Sequence, residues 1–539
     1  MTASAKAHGD RADSGDGVRL TRADVGFVVV LLVIVGVVRL YGMTAQSLWI
    51  DEINIVRFAR YDTFAEFFAA LPREPHPPLY LLIMRYWTAV FGYSAEALRS
   101  FSVLVSILTP ATFYLLLRSR TGRATAAIAA VLIGFAAISH FQAHNARPYA
   151  LIFWLGALAL PFFLDTCAAI GGERAHRTWT LVALVTLNLL IGLTHYSGIV
   201  FVAAQGLVLF IQFCRNPERQ WFRDVVWLAV LGASALPAFL WLAWTYGELA
   251  TLVAGKSMGL TWQDYASPIR SVLGFPGYVP LLFLPFALGW TQLRATFAEL
   301  WQVITGDRLF LLAAGVGVLH LVMVELTSLA QPSFMQNKMI YVVFPAFYVG
   351  LARYLLGVRQ AGSTYRPVVY LLAATGLATY LVTGYPQGSQ GYTSPWQEQE
   401  REGARHVAEV ARPGDLVLLG SVSMNGTWVQ PSQQFFEAIE PDLSLPEGAK
   451  AGVFPPIRDY ATRQDELDAM RLSVLNGALA RIGKDANRLI IDLPHRDELS
   501  VTEFDAIEQA GFCVQVTNFI QHRVVIVDPD VSACLRPQH

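Results

Sequence analysis

Apolar residues run along this chain in long blocks, separated by short polar stretches, from residue 25 to about 384. A helix that crosses a bilayer needs about 20 predominantly apolar residues. Eleven segments meet that requirement: 25–42, 97–117, 124–143, 148–170, 178–194, 198–214, 224–246, 276–293, 309–329, 339–356 and 366–384. A further apolar segment, 78–91 (PLYLLIMRYWTAVF), is short and carries Arg85. Residues 1–24 are polar and rich in Gly, Ser and Asp, and they read as a disordered cytoplasmic tail. The first apolar run follows that tail with no small-residue cleavage site, so it reads as an uncleaved membrane helix and not as a signal peptide.

Basic residues orient the spans. They cluster at Arg11, Arg19 and Arg22, at Arg118, Arg120 and Arg123, at Arg174 and Arg177, at Arg215, Arg219 and Arg223, at Arg294 and Arg308, and at Arg353, Arg359 and Arg366. Loops rich in Lys and Arg stay in the cytoplasm. All six clusters lie inside if an odd number of crossings joins residue 42 to residue 118, and 97–117 alone supplies one. Segment 78–91 is therefore expected to be an interfacial or re-entrant helix on the outer side; the alternative is a twelfth span. The N-terminus is then inside, the first outer loop is 43–96, and the C-terminus is outside.

From about residue 390 the pattern changes. Residues 399–412 have helical periodicity. Residues 413–420, 488–494 and 522–529 read as buried strands, and a helix over 501–511 precedes a strand over 512–518. This is a small α/β domain, 385–539, outside the membrane. Cys513 and Cys534 both fall in it, where a disulfide is as acceptable as two thiols.

Composition agrees with a membrane protein. Of 539 residues, 54% are hydrophobic and 15% charged, against about 25% charged in soluble domains. The net charge of −1 leaves no basic field for nucleic acid. The four cysteines show no zinc or haem spacing.

Polar residues able to do chemistry gather at the outer ends of the spans. Asp51 and Glu52 open the first outer loop, where two adjacent acids are costly unless paired or used; an acid there can take a proton from an acceptor hydroxyl. Glu74 and His76 precede Pro77 and Pro78, which start a helix. Arg99, Arg147 and Lys338 are cations at the outer face, against the positive-inside pattern. They read either as interfacial anchors or as a grip on an anionic lipid head group. Tyr149 follows Arg147, and His195 with Tyr196 lies in a hairpin at the same face. Asp51 and Glu52 could hold a divalent cation, although no third ligand is identifiable. No nucleotide-binding motif is visible.

These residues, in this order, resemble the GT-C superfamily of membrane glycosyltransferases, in the branch of the protein O-mannosyltransferases and the bacterial aminoarabinose (lipid A) transferases. The marks are the acidic pair Asp51-Glu52, the His-Pro-Pro-Leu helix start at 76–79, Arg99 in the next span, the Ala-Arg-x-Tyr-Ala junction at 146–150 and the His195-Tyr196 hairpin. They cover residues 25–200 closely and the later spans loosely, and leave out the C-terminal domain. One departure stands in the junction motif: many bacterial relatives have an acid before Ala-Arg, where this chain has His144 and Asn145.

The resemblance implies a sugar donor carried on a polyprenyl phosphate, inversion at the anomeric carbon, Asp51 as general base with Glu52 in support, and Arg99 in the donor site. Arg147 and Lys338 join it as cations for the leaving phosphate; His76, Glu74, Tyr149 and His195 line the site. The expectation is an α-helical polytopic membrane enzyme of the cytoplasmic membrane, working at its outer face. Its partners would be the lipid-linked donor, membrane lipid and an acceptor protein, lipid or glycan. The rival is a lipid or solute transporter without chemistry, against which the one-sided clustering of polar residues argues.

Overall fold

The computed structural model describes residues 19–254, 305–330, 337–360, 399–424, 427–458, 462–494, 497–530 and 532. The expected spans 276–293 and 366–384 lie outside the described residues. The rest forms a mostly helical membrane unit with a small sheet domain packed against one end.

The membrane unit begins with α1 (Arg22–Leu40). The first loop follows, carrying α2 (Ile50–Ala59), α3 (Phe64–Ala70) and α4 (Leu79–Phe91). Then come α5 (Ala95–Thr121), α6 (Arg123–Phe135), α7 (Ala137–Ala143), α8 (Tyr149–Ile170), α9 (Thr178–Thr194), α10 (Ser197–Arg215), α11 (Trp221–Ala233), α12 (Leu236–Ala254), α13 (Arg308–Ala330) and α14 (Phe344–Gln360). Among the described residues, 7 helical stretches are long and apolar enough to cross a membrane. Helix α4 has 13 residues; at 1.5 Å per residue it spans about 20 Å, short of a hydrocarbon core of about 30 Å.

Two expected spans are interrupted. Segment 124–143 breaks at Ala136, whose backbone is extended (φ −62°, ψ 128°). A break inside a membrane exposes backbone carbonyls that water cannot satisfy, so side chains must. Arg39, buried at the end of α1, enters the gap. It donates from Nη2 to the Gly134 carbonyl (2.7 Å), from Nη1 to His140 Nδ1 (3.0 Å) and from Nε to Ser106 Oγ (3.0 Å). Segment 224–246 is likewise split between α11 and α12 at Ser234, just before Pro237.

Among the described residues of the basic clusters assigned to the inner side, several are paired with acids from other parts of the bundle. Asp24 accepts from Tyr114 Oη (2.6 Å) and Arg123 Nε (3.2 Å). Asp165 pairs with Arg120 and Arg174, both at 2.8 Å, and Asp307 with Arg353 at 2.6 Å.

The C-terminal domain opens with α15 (Glu400–Val410). Its sheet has the order β4-β1-β5-β7-β6, formed by β1 (Leu416–Gly420), β4 (Lys450–Phe454), β5 (Leu489–Leu493), β6 (Cys513–Phe519) and β7 (His522–Asp528). Strands β4, β1 and β5 are parallel; β7 runs antiparallel to β5, and the edge strand β6, antiparallel to β7, returns to the direction of the first three. A hairpin of β2 (Val422–Met424) and β3 (Thr427–Val429) follows β1. Helices α16 (Gln464–Leu479) and α17 (Val501–Gln509) complete the domain. Cys513 is disulfide-bonded, while Cys167 and Cys214 are free; Cys534 lies outside the described residues.

The sheet domain sits on the first loop. Ala404, Val429, Phe435 and Ile439 share one apolar cluster with Ile53, Phe58 and Phe67 of that loop. At its edge Arg60 Nη1 donates to Glu437 Oε2 (3.0 Å) and Gln434 Oε1 (3.3 Å).

Candidate active site

Helix α2 starts at Ile50 and so places Asp51 and Glu52 in its first turn, where exposed N–H groups favour negative charge. Successive residues on a helix point about 100° apart, and the two acids accordingly meet different surroundings. Glu52 turns inward and is fully buried. Arg99 of α5 reaches it with two parallel bonds, Nε to Oε1 (2.9 Å) and Nη2 to Oε2 (2.6 Å), and the Ala146 backbone N–H adds a third at 2.7 Å. Asp51 keeps 25% of its side chain exposed.

The expectation that Arg99 grips a donor phosphate gives way here. Its remaining donors go to the carbonyls of Met43 (3.0 Å), Gln46 (2.9 Å) and Ser47 (2.9 Å). A guanidinium has five N–H donors, and all five meet an acceptor of the chain. Glu52 is corrected with it. Its oxygens are committed to Arg99 and Ala146, so it faces away from the space that Asp51 borders and acts as the partner that holds α2 against α5. Among the described residues no group of three or more His, Cys, Asp or Glu is placed to hold a metal ion.

Arg147 is the opposite case. It is buried, with 6% of its side chain exposed. Its Nη1 donates to the Asp51 carbonyl at 3.2 Å and its Nη2 lies 3.5 Å from Asp51 Oδ2. Its Nε has no hydrogen-bond partner among the described residues. Burial opposes the charge, but Asp51, with Tyr149 and Glu74, outweighs it and holds the guanidinium above its ordinary value. Beside it, burial pushes the His144 imidazole down to about 4. His144 is neutral and donates from Nε2 to the Arg39 carbonyl at 2.7 Å, which fixes the loop carrying Arg147.

Glu74 and His76 face the same space. His76 Nδ1 donates to Glu74 Oε1 at 2.9 Å, and Asn54 Nδ2 donates to Glu74 Oε2 at 3.0 Å. That leaves His76 Nε2 as an acceptor for the Tyr149 hydroxyl at 3.3 Å. His195 accepts the Ser197 N–H at Nδ1 (3.2 Å), which puts its proton on Nε2. Its ring stands 5.4 Å from His76 and 5.9 Å from Tyr149. Tyr341 closes the wall 5.5 Å from Tyr149, its hydroxyl held by Gln142 Nε2 at 3.0 Å.

Asp51, Glu74, His76, Arg147, Tyr149 and His195 thus share one site, although they come from separate parts of the chain. Lys338 falls at the start of the turn over Asn337–Val343, and its side chain lies outside what is described. Sequence reasoning passed over Asn54, Gln142 and Tyr341. Asn54 is three residues beyond Asp51, on the same side of α2, and that spacing was the available signal.

Two solved structures of one protein share this architecture. ArnT from Cupriavidus metallidurans in the apo state matches with a TM-score of 0.53 at 16% identity, over 96% of this chain and 100% of that one. The chain has the ArnT fold. ArnT bound to undecaprenyl phosphate matches with a TM-score of 0.52 at 16% identity, over 95% of this chain and 100% of ArnT. The oligosaccharyltransferase AglB from Archaeoglobus fulgidus, in complex with an inhibitory peptide and a dolichol-phosphate, gives a TM-score of 0.41 at 13% identity, covering 87% of this chain and 69% of AglB. No protein-family model matches the chain, and no curated protein does. The match to ArnT is a likeness of fold, and it covers the C-terminal domain that the sequence motifs left out.

Proposed function

We propose that the protein is an inverting membrane glycosyltransferase that moves a sugar from a polyprenyl-phosphate donor to an acceptor at the outer face of the cytoplasmic membrane. One observation carries the reading: a buried arginine whose Nε has no partner among the described residues, Arg147, beside a partly exposed acid, Asp51. A lipid phosphate leaves only if its growing charge is met, and an acceptor hydroxyl attacks well only if its proton is removed. Arg147 supplies the first, joined by Lys338. Asp51 supplies the second.

In the reaction the acceptor oxygen bonds to the anomeric carbon from the face opposite the phosphate. The carbon–oxygen bond to the phosphate breaks, its electron pair leaves on the polyprenyl phosphate, and the acceptor proton goes to Asp51. Glu52 and Arg99 act as positioning residues that hold α2. Glu74, His76, Tyr149 and His195 line the sugar side with fixed donors and acceptors. The lipid class is supported by ArnT, which has been solved with undecaprenyl phosphate, and the outer face by the basic clusters, which the positive-inside rule assigns to the other side.

The test uses purified protein in lipid, radiolabelled polyprenyl-phosphate hexoses and pentoses, and acceptor membranes, with Asp51→Asn alongside. Transfer by the wild type and a loss of about a hundredfold or more in the variant is expected. Full transfer by Asp51→Asn removes it as base. No transfer and no donor hydrolysis across the panel would leave a transport reading, which a lipid-flipping assay then addresses.

A further inference from the structure

Beside the apolar cluster and the Arg60 contacts, polar contacts from both domains meet on five residues. Segment 43–47, between α1 and α2, has no helix or strand of its own. From one side Arg99 takes the carbonyls of Met43, Gln46 and Ser47. From the other, Arg401 of α15 reaches it: its backbone N–H donates to Ser47 Oγ at 3.0 Å and its Nη1 to the Thr44 carbonyl at 3.4 Å.

The first of these contacts is a helix cap supplied from far away. The first four N–H groups of a helix have no partner within it and are usually met by a side chain just before it. Gln399, at that position in α15, makes no side-chain cap bond. Ser47, 354 residues earlier in the chain, takes the N–H of the second helical residue in its place. The same hydroxyl donates to the Leu48 carbonyl at 3.0 Å. Ser47 therefore joins the start of α15, the segment that satisfies Arg99, and the entry to α2.

We propose that the C-terminal domain braces the reaction centre: through the Ser47 cap it holds segment 43–47, and thereby the Glu52–Arg99 pair and Asp51, in working register. Ser47 and Arg401 are positioning residues, and neither touches substrate. The inference rests on the reading of Asp51 and Arg147 as the reaction centre, but its physical part is measurable without any turnover.

The experiment compares wild type, Ser47→Ala and Ser47→Thr, as full-length protein in lipid nanodiscs, by amide hydrogen exchange and by transfer from the radiolabelled donor panel. Ser47→Ala is expected to speed exchange by roughly five- to tenfold, the usual worth of a cap, at the Arg401 amide and also at residues 50–53 and at Ala146. It is expected to lower kcat several-fold with the donor KM unchanged, and Ser47→Thr, which keeps the hydroxyl, restores both. Faster exchange confined to α15, with residues 50–53, Ala146 and kcat unmoved, would overturn the brace. If the wild type transfers nothing, the glycosyltransferase reading fails and exchange at residues 50–53 and Ala146 alone decides whether the domains are coupled.

Discussion

Arg99 and Glu52 meet through two parallel hydrogen bonds of 2.9 and 2.6 Å, and both side chains are buried. Removing one partner of such a pair strands the other charge, at a cost of about 3–5 kcal/mol. Arg99→Ala and Glu52→Ala are therefore expected to lower the melting temperature sharply or to yield no folded protein. Asp51→Asn, at a partly exposed position one residue away, should melt close to wild type. Thermal unfolding in detergent checks this, and a wild-type melting curve for Arg99→Ala would show that its saturated donor set is not structural.

Arg147 should behave in the opposite way. With an Nε that has no partner among the described residues, it has binding capacity in reserve, and Arg147→Ala is expected to weaken binding of undecaprenyl phosphate about tenfold or more. Arg147→Lys should recover only part of that, because an ammonium is a point charge without the planar fork. Titration of the lipid against tryptophan fluorescence measures both.

Glu74 holds the His76 Nδ1 proton with one oxygen and the Asn54 amide with the other. A glutamine has one oxygen and cannot accept both. In Glu74→Gln the His76 tautomer loses its anchor, and the transfer rate is expected to fall about ten- to hundredfold, the worth of a charged hydrogen bond. Single-turnover transfer at saturating donor reads this without a contribution from binding; an unchanged rate would make the Glu74–His76 pair an idle neighbour of the site.

The C-terminal domain carries its own pH dependence. His522 lies buried between Glu400 (Nδ1 to Oε2, 2.8 Å) and Asp492 (Nε2 to Oδ1, 2.7 Å). Burial opposes its charge, but Asp492 and Glu400 outweigh it and push the imidazole up to about 10. The folded value lies above the ordinary value of about 6.5. The stability it contributes is therefore complete below about pH 6.5 and is lost as the pH climbs towards 10. Exchange in β5 and β7 of the full-length protein should accelerate over that interval, and His522→Gln should be less stable at pH 6 and flatter above it. Gly403 passes so close to this imidazole that a Cβ there would collide with Nε2, so Gly403→Ala is expected to disrupt the same cluster.

The sequence carried the layout of the membrane unit because long apolar blocks have few alternatives in a bilayer, and it carried β1, β5 and β7 because strands buried on both faces read as continuous apolar runs. Strand β4 was passed over: it is a sheet edge, with Lys450 and Ala451 exposed, so its pattern does not alternate. The break at Ala136 left no local trace either, since apolar residues flank it and its compensation, Arg39, sits 95 residues before Gly134. The same limit applied at the site. Asp51 and Glu52 are legible as an acidic pair, but their division of labour is set by Arg99, Ala146 and Arg147, between 47 and 96 residues away. No window of sequence around the pair contains that information.

The seating of the sheet domain on the first loop also sets an order of events in time. Arg60 is made 377 residues before its partner Glu437, and Ser47 precedes Arg401 by 354. At about 5–20 residues per second, roughly twenty seconds to over a minute of translation separates the two halves of that interface. The nascent chain threads its helices into the bilayer, among the lipids it is proposed to consume, while segment 43–47 still lacks its second grip. Under the proposed brace, competence arrives with the last quarter of the chain, and a ribosome that stalls before it is predicted to leave a membrane-inserted but idle protein.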